Sequence, residues 1–407
     1  MLGIALVFGR FPSPGGSSFG YGSFARNLAI FALLGALARA PGVTFARSRI
    51  GPALLVFLLA GASSIAVNGG GWGDLRTLAT TLGIFYAARA VADGPRGSLW
   101  LFHWLGLLSV GVLAREVLHN PAVLGMREIH RFTLVTDNAN TLGAALALST
   151  PVFLAATQRP ERRAAAWVYA VCSSLTVVAS FSRAAWLALA LGVGALGFAM
   201  RRRQAPLGSL ASALASVAVV VIAIGYLSLG RAEADAQRLR IMATSMSLFR
   251  EHWLSGIGLG IHNLEQLFPI RYLELYGESL FLFHSHNFYV DLLTGTGVIG
   301  ALAATWLLGT LVRVAWLGIT LASRPEERLD ALAYASALGI FLVISVTDMP
   351  FYHGRIVLLL AILWAMMESA CRERASPERA LLRRSIAGAQ KSGSSRHDVR
   401  KESAPAL

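Results

Sequence analysis

The sequence predicts an all-α fold, a polytopic membrane bundle of about twelve transmembrane helices with one long loop containing amphipathic helices. Three observations carry this expectation. Hydrophobic residues make up 55% of the 407 residues, and the mean hydropathy is +0.58. Charged residues make up only 14%, against about 25% in soluble domains. Several apolar runs approach the ~20 residues that a helix needs to cross a bilayer. Lipid offers no hydrogen bonds, so the backbone of such runs must be satisfied within helices. A membrane β-barrel would instead show alternating segments of about ten residues. The runs here are continuous and rich in Leu, Ala, Gly and Val.

In chain order, apolar spans are expected near 1–10, 27–40, 51–68, 75–92, 98–117, 139–157, 165–182, 184–200, 208–229, 288–319, 330–347 and 355–370. The opening "MLGIALVFG" lacks the basic start of a cleavable signal peptide. It reads as a short first helix or a clipped start. The run 288–319 is longer than a bilayer needs, so it either begins with an interfacial portion or extends beyond the membrane. The chain then divides into an N-terminal bundle (1–229), a loop (230–287), C-terminal transmembrane helices (288–370) and a basic tail (371–407).

Charge sets the expected orientation. The net charge is +14, which in a soluble protein would suggest nucleic acid. Here the cations cluster in short loops, as membrane topology demands, and no nucleic-acid partner is expected. "ARSR" (46–49), "DGPR" (93–96), "QRPERR" (158–163), "RRR" (201–203), "SRPEER" (323–328) and the tail fall on one side. The positive-inside rule makes that side cytoplasmic. From Arg372 onward the tail holds nine Lys or Arg against four Asp or Glu, and its composition suggests disorder. The opposite face, expected to be periplasmic, receives the 118–138 loop, the turn at Arg183, the 230–287 stretch and "TDMPFYHG".

The unusual polar residues gather on that opposite face. Arg183 stands between two apolar runs with almost no loop; near a membrane core an arginine is costly and usually faces a cavity or a partner. The stretch 231–253 starts charged and becomes amphipathic, with Ile241, Met242, Met246, Leu248 and Phe249 among small polar residues. It suits a helix lying along the outer membrane surface. "GIGLGIHN" follows, where glycines would end the helix and permit a tight turn. No strand precedes it, so a nucleotide site is not expected. His284 and His286 form an H-x-H pair. No third ligand stands at a zinc spacing, and Cys172 and Cys371 are the only cysteines, so neither a metal nor a disulfide is expected. An imidazole at an interface can accept a hydroxyl proton, and Asn287 could orient such a ring. Asp137, Asn138 and Asn140 begin a helix, where capping would explain them. Asp348 lies at an outer helix end. Paired guanidinium groups from Arg183 and either Arg238 or Arg240 suit bidentate phosphate binding. Two arginines could neutralise a diphosphate leaving group without a metal.

Three stretches carry a family resemblance. "SFSRAAWLALALG", "RLRIMATSMSLFREHWLSGIGLGIHN" and "HSHNFYVDLLTGTGVIGAL" resemble the bacterial O-antigen ligase and polymerase superfamily. Arg183, Arg238, Gly256, Gly258, His286, Asn287, Tyr289, Gly297 and Gly300 stand at its motif positions, and "TDNANTLG", which contains Asn140, resembles its mid-chain segment. The resemblance covers roughly residues 130–310. It departs at Met242, where the family usually has Trp, and at Trp253, where Pro is usual. The resemblance implies a metal-independent, cofactor-free, inverting glycosyltransferase of the GT-C type in the bacterial inner membrane. Its donor would be an undecaprenyl-diphosphate-linked O-antigen glycan, and its acceptor in a ligase lipid A–core oligosaccharide. His286 would activate the acceptor hydroxyl, and Arg183 and Arg238 would hold the diphosphate. Arg240, Asn287, His284, Asn140 and Tyr289 are further substrate-binding candidates.

Four functions fit to different degrees. A ligase fits the compact chain and the single long loop of about 57 residues. A polymerase would use the same donor, usually with two large periplasmic loops. A protein O-oligosaccharyltransferase would usually be longer. A lipid-linked glycan transporter would show mid-helix charges and repeat symmetry, whereas Arg115, Glu116 and Arg313 are expected near helix ends and no repeat is visible.

Overall fold

A computed structural model describes residues 48–70, 72–93, 96–119, 139–201, 232–280, 285–348 and 354–374. Among these residues the chain forms eleven helices and no strand. They are α1 (Ile50–Asn68), α2 (Trp72–Ala92), α3 (Gly97–His119), α4 (Ala139–Ala156), α5 (Arg163–Ala179), α6 (Arg183–Arg201), α7 (Ala232–Glu251), α8 (Ile261–Tyr276), α9 (Phe288–Thr320), α10 (Pro325–Ile344) and α11 (Gly354–Arg374). Nine of the twelve expected spans coincide with helices, displaced by a few residues at most. The expected spans at 1–10, 27–40 and 208–229 lie outside the described residues. By length and apolarity alone, α1, α3, α4 and α9 are able to cross a membrane, and α5 and α6 are shorter apolar helices.

The bundle has two chemically different ends. At one end the α2–α3, α4–α5 and α9–α10 connections gather with the end of α11 around a polar cavity of about 1030 Å³. Arg96, Arg159, Arg162, Arg324 and Arg372 share its wall with Asp93, Glu161, Glu326, Glu327 and Asp330. Arg159 pairs with Asp330, and Arg372 with Asp93 at 3.0 Å. Deeper at this end, fully buried Arg89 of α2 lies 3.9 Å from Glu368 of α11 and 4.0 Å from Asp93. Glu368 also accepts from the Ser48 hydroxyl at 2.9 Å and from the Arg49 amide. One buried carboxylate therefore ties the start of α1, α2 and α11 together. Cys371, expected in the tail, is instead buried in α11, because that helix continues to Arg374. Cys172 and Cys371 are both free.

At the other end α9 explains its own length. It is two helices joined at Gly297, whose φ of 62° and ψ of −162° interrupt the helical run. A break inside an apolar helix exposes carbonyls on one side and amides on the other, and lipid cannot satisfy either. The 253–258 turn satisfies both. The Ile257 amide donates to Thr294 O at 2.8 Å and the Gly258 amide to Gly295 O at 3.0 Å. In return the Val298 amide donates to Trp253 O at 2.9 Å and the Ile299 amide to Leu254 O at 3.4 Å. The Ser64 hydroxyl of α1 donates to Ser255 O at 2.6 Å and Gly295 O at 2.7 Å, locking the junction from the third side.

Two glycines make the approach possible. Gly256 (φ 69°) and Gly297 both hold a left-handed backbone. A Cβ on Gly256 would collide with the Gly295–Thr296 peptide, and one on Gly297 with Leu254 O. The turn therefore does more than end a helix, as the sequence suggested. It docks backbone to backbone into the break. The preceding helix differs from expectation as well. The apolar face of α7 packs on protein: Ile241 and Leu248 form a small core with Ile257, Leu264, Phe268 and Tyr272 of the turn and α8.

Both features are testable in the purified, detergent-solubilised protein. Arg89→Met leaves Glu368 buried without its cation and should lower stability by about 3–5 kcal/mol, read as a fall in Tm; adding Glu368→Leu should recover part of that loss. Gly297→Ala should destabilise by about 1–3 kcal/mol through its backbone conformation alone. Gly309→Ala, in the same helix with open space around it, should instead hold or raise Tm, because alanine is the better helix former.

Candidate functional site

The sequence-predicted residues lie on the elements that the broken helix brings together. Asn287 is the N-cap of α9, and its side-chain oxygen accepts from the Tyr289 amide at 3.0 Å and the Val290 amide at 3.1 Å. Its amide nitrogen donates to Val346 O at 2.9 Å, and the Phe288 amide donates to Ser345 O at 2.9 Å. The Ser285 hydroxyl donates to Asn287 O at 3.0 Å. The Tyr289 hydroxyl donates to Leu342 O of α10 at 3.1 Å. Asn287 and Tyr289 thus fasten the start of α9 to the end of α10, where the buried Asp348 follows.

Half-buried His286 sits inside this clamp with a φ of 57°. That conformation costs a non-glycine residue about 1–3 kcal/mol and persists only where the surroundings enforce it. Among the described residues one other non-glycine has positive φ, Phe181 at 50°. It lies two residues before Arg183, in the short turn between α5 and α6. There the Trp186 indole donates to Val177 O at 2.9 Å, and the Ala185 amide donates to the Ser182 hydroxyl oxygen at 3.4 Å. Gly143, one turn after Asn140, leaves no room for a Cβ beside the Ser180 hydroxyl, so the start of α4 presses against this turn. Asn140 is half-buried in the first turn of α4.

Arg183 opens α6 and reaches Asp235 of α7, with Nη2 3.5 Å from Oδ1. Asp235 was not singled out from the sequence; its only signal is its place in a charged helix start. One turn further along α7 stands half-buried Arg238, which has no ion-pair partner among the described residues. Arg240 is different. Its Nη1 lies 3.1 Å from Glu278 Oε1, and its guanidinium stands 5.4 Å from the Tyr276 ring centre. The Tyr272 hydroxyl donates to the same carboxylate at 3.3 Å, and burial pushes that phenol above its ordinary range. Arg240 is therefore built into the α7–α8 contact. Arg271 pairs with Glu251 and with Glu274, fastening α7 to α8 at its other end.

The α7 and α9 helices meet where the Thr294 hydroxyl donates to Ser245 O at 3.0 Å. Two turns back from either partner stand Arg238 and Asn287. The structure thus joins Arg183 to α7 directly and joins α7 to the His286 helix through this bond and the docked turn. His284 lies outside the described residues. Among the described residues no three His, Cys, Asp or Glu side chains cluster as metal ligands would. The large polar cavity belongs to the opposite end of the bundle, so volume does not locate this site; the strained residues and the cations do.

No curated protein matches the chain. A family model described as O-antigen ligase matches residues 168–305, about a third of the chain. The matched segment runs from within α5 to within α9 and contains Arg183, Arg238, the docked glycine turn, His286 and the break at Gly297. Residues 168–305 are thus similar to the O-antigen ligase family.

Proposed function

We propose that the protein is an O-antigen ligase. It transfers polysaccharide from undecaprenyl diphosphate to the lipid A–core oligosaccharide at the periplasmic face of the bacterial inner membrane. The observation that carries this reading is the matched segment itself. It contains Arg183, Arg238, His286 and both partners of the four backbone bonds of the docked junction. The single connector of about 57 residues between the two sets of spans favours a ligase over a polymerase.

In this reading the donor's diphosphate lies against Arg183 and Arg238. Arg183 is held by Asp235 across a half-exposed pair, and such pairs contribute about 1 kcal/mol or less. A diphosphate can displace that carboxylate at little cost. Arg238 needs no displacement among the described residues, whereas Arg240 would have to leave both Glu278 and Tyr276. The clamp is accordingly assigned to Arg183 and Arg238. The His286 imidazole takes the proton from the acceptor hydroxyl as its oxygen attacks the anomeric carbon. The bond to the diphosphate oxygen breaks on the opposite face, and the leaving charge falls between the two guanidinium groups. The anomeric centre is inverted. The donor arrives already activated, so no nucleotide is consumed.

Complementation of a Gram-negative strain lacking its ligase, read as a lipopolysaccharide gel, tests the activity. A restored ladder on lipid A–core supports the ligase. A blank gel there together with long chains in a polymerase-deleted strain would replace it with a polymerase. His286→Ala should reduce transfer by about 10²–10⁴-fold with donor binding retained, and undiminished transfer would remove the base assignment. Arg183→Ala and Arg238→Ala should each cost about 10²-fold in transfer and weaken donor binding. Arg240→Ala should stay within about tenfold and show its effect in Tm, since its contacts tie α7 to α8.

A further inference from the structure

Asp291 is a buried carboxylate, 2% exposed, to which the chemistry above gives no part. Both of its oxygens face a single donor, the Ser285 amide, at 2.8 and 3.1 Å. Asp291 is the fourth residue of α9, and Ser285 stands two residues before the N-cap. The bond therefore closes a ring over His286 and Asn287. In an ordinary capping box the third helical residue reaches back to the N-cap amide. Here the reach is one residue longer in the helix and two residues longer before it, and the strained His286 is enclosed.

The other contacts of this segment act on the far side of the histidine. Asn287 and Phe288 are fastened to Val346 and Ser345. These fix the chain from residue 287 onward. Ser285 is fixed by its hydroxyl to Asn287 O and by its amide to Asp291. With Ser285 and Asn287 both pinned, the intervening residue keeps its left-handed backbone, and with it the direction of its Cα–Cβ bond. Capping alone does not call for a buried carboxyl group, since Asn287 already caps the helix with a neutral amide.

We infer that Asp291 is a positioning residue that locks the backbone of His286 and thereby aims its imidazole. For its effect on transfer this rests on the function proposed above; for its effect on the backbone it rests on the geometry alone. The test uses the full chain in lipid nanodiscs, comparing Asp291→Asn, Asp291→Leu and His286→Ala with the unmodified protein. Amide hydrogen exchange across residues 285–287 is followed by mass spectrometry, and kcat and donor KM by glycan transfer. Asp291→Leu should speed exchange at Ser285 by at least about tenfold. It should lower kcat by about 10²-fold, the scale of a small misplacement of a reacting group, with donor KM within about threefold. Asp291→Asn retains an acceptor oxygen, so both exchange and kcat should stay within about fivefold. Unchanged exchange in Asp291→Leu would overturn the inference. So would an equal loss in Asp291→Asn, or a rise in KM with kcat intact. If Asp291→Leu gives no monodisperse protein, Asp291→Ser, too short to reach the amide, takes its place with the same expectations. Normal transfer by His286→Ala would remove the proposed chemistry, while the exchange result would still judge the backbone role.

Discussion

Four backbone hydrogen bonds at the break in α9 hold the functional end of this bundle together. Helix termini ordinarily leave their last carbonyls and first amides to water or to caps. Inside an apolar layer neither is at hand, so a broken helix survives there only where protein supplies the missing partners. The 253–258 turn supplies them in both directions, accepting at Trp253 and Leu254 and donating from Ile257 and Gly258. The contact is between main chains, so it tolerates no Cβ at Gly256 or Gly297. The glycines of two stretches about forty residues apart are therefore one requirement seen from two sides. Because the turn follows α7 directly, fixing it also fixes the helix that carries Asp235 and Arg238.

The same constraint explains where strain is stored. Phe181 and His286 both hold left-handed backbones, and each adjoins or is a residue of the candidate site. Phe181 lets two helices meet with a three-residue turn, which leaves Arg183 at a helix start instead of on a loop. His286 is held between a clamp to α10 and a bond to Asp291. A strained residue is ordered only when its neighbours over-determine it, so the density of hydrogen bonds around residues 285–290 is the counterpart of that one dihedral angle.

The helices were legible in the sequence because long apolar runs leave the backbone little freedom: nine expected runs are helices with nearly the same ends, four of them long and apolar enough to cross a membrane. The site residues were legible as kinds, since cations and histidines outside loops of the positive side are conspicuous. Their partners were not. Asp235 lies in a helix start crowded with charge, and nothing in its neighbours marks it as the one facing Arg183. Arg238 and Arg240 are two residues apart, so they point about 200° apart on the helix. That spacing says that only one can face Arg183's side, and it does not say which. The break in α9 was hidden for a different reason. A run of 33 residues fits a long helix as well as a bent one, and glycines alone do not separate the two. Glu368 and Arg89 escaped notice because each looks like an ordinary helix-end charge until α2 and α11 are placed side by side.

The two ends of the bundle differ in how deeply they bury charge. At the cavity end the deepest pairing is buried: Arg89, with no exposed surface, lies 3.9 Å from Glu368 and 4.0 Å from Asp93. Removing one partner of such a set leaves a charge in a medium that cannot solvate it, so the set resists change. At the other end the Asp235 carboxylate that meets Arg183 is about half exposed, and Arg238 stands one turn beyond it. Cations kept in loose or exchangeable contact lose little when an anion arrives, and the attraction they then gain is greater at a partly desolvated interface than in water. The buried set can keep the helices in register, while in the proposed chemistry a diphosphate would meet the more exposed pair. That division of charge, more than any single residue, is what the fold contributes to the proposed chemistry.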